Sequence, residues 1–264
     1  MGMVIVFFAV SILSSIAGSI CGIGGGVIIK PVLDATGIMS VSAISFLSGC
    51  TVLAMSVVSV YKNVRSKAAK LDLRIATGLA VGAAAGGVIG KTMFQSLKAA
   101  VGNEAVVGMT QAIVLIAVTL GTLIYTVFKH RIRTKTYTQI WLCVVIGILL
   151  GVMSSFLGIG GGPINLVVLA YFFSMSTKEA ALSSLYIIMF SQITSLIQTC
   201  ATGSVPKVSA AYLAAMVVGG ILGGTLGSKV NKKISEEGVN KLFIALMAVI
   251  IGINIYNAVK FGMA

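Results

Sequence analysis

The pentapeptide Gly22-Ile23-Gly24-Gly25-Gly26 occurs twice in this chain of 264 residues. It returns unchanged as Gly158-Ile159-Gly160-Gly161-Gly162, an offset of 136 positions. A second block, the glycines at positions 82, 86, 87 and 90, returns at an offset of 137 as positions 219, 223, 224 and 227. Two matching blocks at nearly the same offset indicate that the chain is a duplication of a unit of about 130 residues.

The composition around these repeats is that of a membrane protein. Hydrophobic residues make up 58% of the chain and charged residues 9%, and the mean hydropathy is +1.08. A soluble domain carries about a quarter of its residues as charged side chains. Uncharged runs such as 2–29 and 105–128 are long enough to cross a bilayer. The loops leave no room for a nucleotide-binding or catalytic domain, so we expect no enzymatic activity and no cofactor.

Each half of the chain contains five apolar segments. They are 3–21, 27–37, 41–61, 73–91 and 105–128, then 140–157, 163–175, 180–200, 209–229 and 239–259. The second segment of each half is too short to span the membrane, and with its predecessor and the glycine turn it forms a helical hairpin. The sequence predicts an all-α polytopic membrane protein of eight to ten helical segments. Its parts are a first membrane repeat (1–128), a basic cytoplasmic linker (129–139) and a second membrane repeat (140–264).

The charges predict that the two repeats are inverted. Three full spans follow each hairpin, and an odd number of crossings turns the second half over. The loop before the fourth segment holds Lys62, Arg65, Lys67, Lys70 and Arg74, whereas its counterpart holds only Lys207. Inverted halves place 14 Lys and Arg residues in the cytoplasm and four outside, as the positive-inside rule favours. We therefore interpret the net charge of +13 as a topology signal and expect no nucleic-acid partner.

Inverted repeats with short, broken helices are typical of secondary transporters, which bind substrate near the membrane midplane. Irregular backbone is tolerated in a bilayer only where it is buried or lines a cavity, which favours transport over a membrane scaffold with duplicated packing. A channel stays open as an alternative, because the sequence does not separate continuous conduction from alternating access.

The glycine turns are the strongest candidates for substrate binding. Glycines can take positive φ and bring the backbone close to a ligand. Pro163 suits the first position of a helix, so the preceding glycines would present N–H donors at a helix N-terminus, which favours an oxyanion. Two such turns, entering from opposite sides, can converge on one anion. The alternative is that the glycines only permit tight packing at a hairpin. The candidates are Gly24, Gly25, Gly26, Gly160, Gly161, Gly162, Pro163 and Asn165.

Four polar side chains extend this hypothesis. Lys30 and Asp34 have the i, i+4 spacing of an intrahelical ion pair. As functional groups, Lys30 would attract anions at the mouth of the site and Asp34 would couple transport or gating to a proton or sodium ion. Ser48 and Gln192, in the third segment of each half, offer donors to an oxyanion, although such residues also form ordinary interhelical hydrogen bonds.

Glycines also recur every four residues at 78, 82, 86 and 90, and again at 219, 223 and 227. This spacing is typical of close helix packing. We expect the contact to lie between the two halves, although the same faces can equally support a homodimer.

With these motifs, the chain resembles the sulfite exporter TauE/SafE family over nearly its whole length. The most specific element is the first pentapeptide with Pro31 five residues beyond it, echoed by the second pentapeptide. The resemblance implies a plasma-membrane carrier of small sulfur-containing anions, such as sulfite, sulfonates or thiosulfate, that runs on an ion gradient. This chain has Val167 where the second half would match Pro31, so the two turns need not contribute equally.

The resulting hypothesis is a secondary transporter of a small anion, a sulfur oxyanion above all, that works by alternating access in the lipid bilayer without a prosthetic group. Two alternatives remain. One is a carrier of another small anion, such as a carboxylate. The other is a non-transporting membrane interaction protein, which predicts no stabilisation by any ligand.

Overall fold

The computed structural model describes residues 2–66 and 71–263. Within these residues all regular structure is helical, with ten α-helices and a 3-10 helix at Lys129–Arg131. The α-helices are α1 (Gly2–Cys21), α2 (Gly26–Thr36), α3 (Val41–Ser66), α4 (Leu73–Val101), α5 (Glu104–Phe128), α6 (Ile140–Leu157), α7 (Pro163–Phe173), α8 (Thr177–Ala201), α9 (Ala210–Lys233) and α10 (Glu236–Gly262).

Eight of these helices are long and apolar enough to cross a membrane. The other two, α2 and α7, have 11 residues each and directly follow the two glycine pentapeptides. The all-α polytopic class is therefore confirmed. The inverted orientation of the repeats and the boundaries at 129–139 stay predictions, and Met1, Lys67, Lys70 and Ala264 lie outside the described residues.

Several helices extend beyond the apolar segments of the sequence, because hydropathy marks the part suited to lipid and not the end of the hydrogen-bonded helix. In α4 the Asp72 side chain accepts hydrogen bonds from the N–H groups of Arg74 and Ile75, and Gly102 ends the helix in the left-handed conformation. Helix α4 thus runs to Val101, ten residues past the predicted segment.

The glycine-rich faces pack the two halves together, as predicted. Helix α4 lies against α6, where a Cβ added to Gly82 or Gly86 would overlap the carbonyl of Val144 or Ile148. Helix α9 lies against α1 in the corresponding way, with Gly223 close to the Ile12 carbonyl. The fourth helix of each half therefore packs against the first helix of the other half at backbone distance.

Helices α3 and α8, the third element of each half, complete the centre of the molecule. They contact each other, and each also contacts the glycine-rich helix of the other half, α9 for α3 and α4 for α8. Helices α5 and α10 form a further pair that contacts α7 and α2 respectively. This arrangement surrounds both glycine turns with helices from both halves.

Candidate functional site

The first glycine turn is a buried break between α1 and α2. Gly22 has a φ of 76° and Gly24 a φ of 78°, a backbone conformation that favours glycine. Gly25 has right-handed helical angles, and Gly26 is the first residue of α2. Of the predicted glycine triplet 24–26, only Gly24 therefore needs positive φ. The turn is also crowded, because a Cβ on Gly22 would overlap Ala181 of α8.

The second turn has the same position between α6 and α7 but a different conformation. Gly158, Gly160 and Gly161 have φ values of 66°, 69° and 136°. Gly162 is extended, and Pro163 begins α7, as the sequence predicts. Proline fits there because the first N–H of a helix has no intrahelical acceptor.

The two turns meet at the centre of the protein. A Cβ built on Gly24 would lie 3.4 Å from the carbonyl oxygen of Gly160, and one on Gly161 would lie 3.5 Å from that of Ile23. A Cβ on Gly26 would overlap the Ile159 carbonyl. The turns therefore pack backbone to backbone, and in this conformation a substrate would have to separate them to bind between them.

Both turns carry backbone donors without a protein acceptor. The first N–H groups of any helix have no intrahelical partner. Within the described residues, no acceptor is assigned to the N–H groups of Gly24, Gly25, Gly26, Gly160, Gly161 or Gly162. Since the positive ends of two helix dipoles add to these donors, the junction favours a negative group.

Side chains around the junction are also unpaired. The buried Oγ atoms of Ser15, Ser45 and Ser48 have no hydrogen-bond partner among the described residues. Each lies against a turn, with Ser48 Oγ 2.8 Å from a Cβ built on Gly26 and Ser45 Oγ 2.6 Å from one built on Gly158. Buried hydroxyls are normally hydrogen-bonded, so these three hydroxyls are available to donate to a ligand.

Asn165 belongs to the same junction, whereas Gln192 stands beside it. Asn165 is buried in the first turn of α7. Its Nδ2 donates a hydrogen bond to Ser184 Oγ at 3.3 Å, and its Oδ1 has no partner among the described residues. Gln192 Oε1 lies 2.9 Å from a Cβ built on Gly49, in the contact between α3 and α8. The structure thus brings Ser48 and Asn165 to the turns and places Gln192 against α3.

Lys30 and Asp34 form a buried ion pair just beyond the first turn. The Lys30 Nζ donates to Asp34 Oδ2 at 2.6 Å, and the side chains are 4% and 6% exposed. The second oxygen, Oδ1, has no partner among the described residues. The pair is therefore the charged part of an otherwise neutral site.

Two larger cavities lie at the two ends of α8. The first, of about 280 Å³, is lined by Thr177 and Ala180 at the start of α8, by Leu166 of α7, and by Lys129 and Glu236. Burial lowers the pKa of Lys129, and the Glu236 carboxylate opposes that shift. The second cavity, of about 620 Å³, lies beyond the other end of α8. It is lined among others by Lys91, Lys98, Gly203 and Ser204.

Sequence reasoning did not select Ser15, Ser45 or Ser184. The offset of 136 that aligns the two pentapeptides also aligns Ser48 with Ser184. Applied to Ser48, this alignment would have identified Ser184 as a candidate. No sequence signal marks Ser15, because only the folded turn brings Gly25 to within van der Waals distance of it.

The groups at the junction have the chemistry that anion binding would need. Its functional groups are neutral N–H, hydroxyl and amide donors beside one lysine, which suits an oxyanion. In the part of the chain that the structure describes, no group of three or more His, Cys, Asp and Glu side chains is placed to hold a metal ion.

Comparison with protein families gives one match. The family model described as "Sulfite exporter TauE/SafE" matches residues 7–255, which is nearly the whole chain and includes both glycine turns. Comparison with curated proteins and with solved structures finds no match.

Proposed function

The chain belongs to the sulfite exporter TauE/SafE family, and on that premise we propose that it is a secondary transporter of a small sulfur oxyanion, such as sulfite, a sulfonate or thiosulfate. The family indicates a membrane transporter of anions, and the chain has eight helices suited to crossing a membrane. The substrate, the mechanism and the residues below are the proposal.

The convergence of the two glycine turns carries the proposal. Two helix N-termini begin at the contact between the turns, and six N–H groups of the turns, like the Ser48 hydroxyl beside them, have no acceptor among the described residues. Such donors stabilise an anion without a full positive charge of their own, so the site need not hold a permanent ion when empty.

The arrangement favours a sulfur oxyanion over a carboxylate. A carboxylate presents two oxygens in one plane, whereas sulfite and sulfonates present three oxygens in a pyramid. Unpaired hydroxyls of α1 and α3 lie against the turns in addition to the N–H groups of the turns themselves, and we propose that these donors approach a ligand from several sides instead of one plane. A carboxylate carrier remains the alternative within transport.

The positions of the turns and the cavities support alternating access as the mechanism. The turns belong to different halves and are in contact, so movement of one half against the other would open the site. The 25 residues of α8 extend about 37 Å, and a cavity lies at each end. We propose that these cavities are the vestibules on the two sides of the plasma membrane, with the basic linker in the cytoplasm.

The test is uptake by purified protein in liposomes. Labelled sulfite should exchange against internal sulfite, and the competition panel should contain thiosulfate, a sulfonate, a carboxylate and chloride. We expect sulfur oxyanions to compete better than the carboxylate or chloride, and Gly161→Ala to abolish exchange. The reason is that its Cβ would overlap Ile188 and its φ of 136° disfavours a side chain.

The matched control is Gly252→Ala in α10, where a Cβ would meet nothing within 4 Å. It should exchange sulfite as the unsubstituted protein does. Because Gly161→Ala can also fail to fold, Ser48→Ala provides a second variant that keeps the backbone intact. If folded protein exchanges no anion of the panel, the transporter proposal is wrong and the membrane interaction protein is favoured.

A further inference from the structure

The ion pair of α2 is placed to connect two binding events. Lys30 and Asp34 lie one helical turn apart, almost fully buried, directly after the first glycine turn. A buried charge whose partner is removed is strongly destabilising. Loss of the Asp34 charge therefore leaves Lys30 without its counterion.

Lys30 also lies against the second glycine turn. Its Cε is 3.6 Å from a Cβ built on Gly158, and Ser45 Oγ is 2.6 Å from the same point. Gly26 precedes Lys30 by one turn, or about 6 Å along the helix axis. Because an ammonium group at the end of a flexible stem can reorient, Lys30 can reach either Asp34 or an anion held at the turns.

Asp34 has room for a proton carrier. Its unpaired Oδ1 belongs to a residue that lines a cavity of about 10 Å³. Gln111 of α5, whose Oε1 is also unpaired, and Asn254 of α10 line the same cavity. This volume and these polar groups fit one water molecule, which can deliver a proton to the carboxylate.

The other elements packed around Asp34 contribute one further charge. From α10, the Lys260 Nζ donates to the Ala35 carbonyl at 2.9 Å and attracts the Asp34 carboxylate. Helix α5 contributes Gln111, which is neutral, and α6 contributes Leu157, which is apolar. Helices α1 and α3 also pack against α2, but α1 has no charged residue and the charges of α3 lie in its last turns. Among the described residues, the charges that act on Asp34 are therefore those of Lys30 and Lys260.

We propose that Lys30 is shared between Asp34 and the substrate, so that a proton and an anion bind together. When a proton converts the Asp34 carboxylate to the acid, Lys30 loses its counterion and pairs with the oxyanion at the turns. When the anion leaves, Asp34 releases the proton and recovers Lys30. One proton that binds together with one monovalent anion leaves the charge of the site unchanged.

This inference rests on the proposed function and adds a proton to it as a second, coupled ligand. Coupling between two ligands is reciprocal, so protonation tightens anion binding and anion binding promotes proton uptake. Net transport of a monovalent anion would then depend on its own gradient and on the pH gradient, and would be insensitive to membrane potential.

The test measures the affinity of methanesulfonate, whose charge does not change with pH, in detergent between about pH 5 and about pH 9. For the unsubstituted protein, Kd should rise by up to about tenfold per pH unit once Asp34 is ionised in the free protein. Asp34→Asn should bind tightly at every pH, because its Lys30 is always free. Lys30→Gln should bind weakly at every pH.

Two further variants keep the test decisive. Asp34→Asn leaves Lys30 without a counterion and can unfold the protein, whereas the double variant Lys30→Gln, Asp34→Asn is neutral and should fold, bind weakly and show no pH dependence. Lys260→Gln should retain the pH dependence. Retention in the double variant, or loss in Lys260→Gln alone, would overturn the assignment to Asp34.

The outcomes separate this inference from the function on which it rests. Anion binding that is independent of pH in the unsubstituted protein overturns the coupling and leaves the transporter proposal intact. Folded protein that binds no anion at any pH overturns both. Uptake of about one proton per anion bound, measured with an indicator in weakly buffered solution above the pKa of the free site, would support the coupling.

Discussion

Replacing Ser48 with alanine should raise the stability of the empty protein while it weakens anion binding. The Ser48 Oγ is fully buried and has no partner among the described residues. Burial of an unpaired hydroxyl costs about 1–3 kcal/mol in proteins, so its removal should stabilise the fold by up to about that amount. A hydrogen bond to a charged ligand contributes about 1.5–3 kcal/mol, so Kd should rise by about 10- to 150-fold.

Both effects are measurable by unfolding with and without ligand. At about 100 times Kd, a ligand that binds only the folded state adds about 2.7 kcal/mol. At the same concentration, a Kd raised about 10- to 150-fold reduces this increment to between about 1.4 and about 0.3 kcal/mol. The assay is unfolding of the detergent-solubilised protein in the presence of sulfite or a sulfonate.

Ser59→Ala in the same helix is the matched control. Ser59 is equally buried, but its Oγ lies 2.9 Å from Ser19 Oγ in a hydrogen bond. Its removal should lower stability by about 0.6 kcal/mol, typical of such bonds in membranes, and should leave the ligand increment unchanged. A Ser48→Ala variant that is less stable than the parent and keeps its full ligand increment would refute the reasoning, because Ser48 would then be a structural residue.

Three further predictions concern the frame around the site, and each is measured by equilibrium unfolding in mixed detergent. Gly82→Ala should lower the free energy of unfolding by about 1–3 kcal/mol, because its Cβ would overlap the Val144 carbonyl and separate α4 from α6. The control Gly252→Ala should not lower it, and equal stabilities of the two variants would contradict the packing. Ser176→Ala should lower the free energy of unfolding by about 1 kcal/mol, because it removes the capping box between Ser176 and Glu179 at the start of α8. An unchanged unfolding midpoint would show that this cap does not stabilise the helix. Asn231→Leu should lower the free energy of unfolding by about 0.6 kcal/mol, because it removes the bond from Nδ2 to the Ile20 carbonyl at 2.6 Å; an unchanged stability would contradict this link between α9 and α1.

Much of the fold could be predicted from the sequence, because the repeat and the hydropathy are both local signals. The pentapeptides marked the two breaks, and the short segments after them became the 11-residue helices α2 and α7. The glycines spaced four apart marked the faces that join α4 to α6 and α9 to α1. Helix ends were predicted less well, because caps such as Asp72 and Gly102 lie outside the apolar segments.

The site was harder to predict, because it depends on contacts across the two halves. The glycine motifs predicted N–H donors at both turns. They did not predict that Gly26 would lie against the Ile159 carbonyl or that Ser45 would lie against Gly158. Gln192 was selected together with Ser48 as a polar residue of the third segment, yet its side chain lies against Gly49. Which neighbour a helical side chain contacts depends on how the helices pack, and the residue type alone does not determine that packing.

The central claim, that the two glycine turns form one anion site, is tested most directly by a crystal structure of the protein purified with bromomethanesulfonate, a sulfonate that carries a bromine atom. Anomalous scattering then locates the bromine atom independently of the protein coordinates. We expect the sulfonate between the turns, with its oxygens within hydrogen-bond distance of N–H groups from both 24–26 and 160–162 and of Ser48 Oγ. Bromine found only in the cavities at the ends of α8, with the turns still packed against each other, would contradict the account.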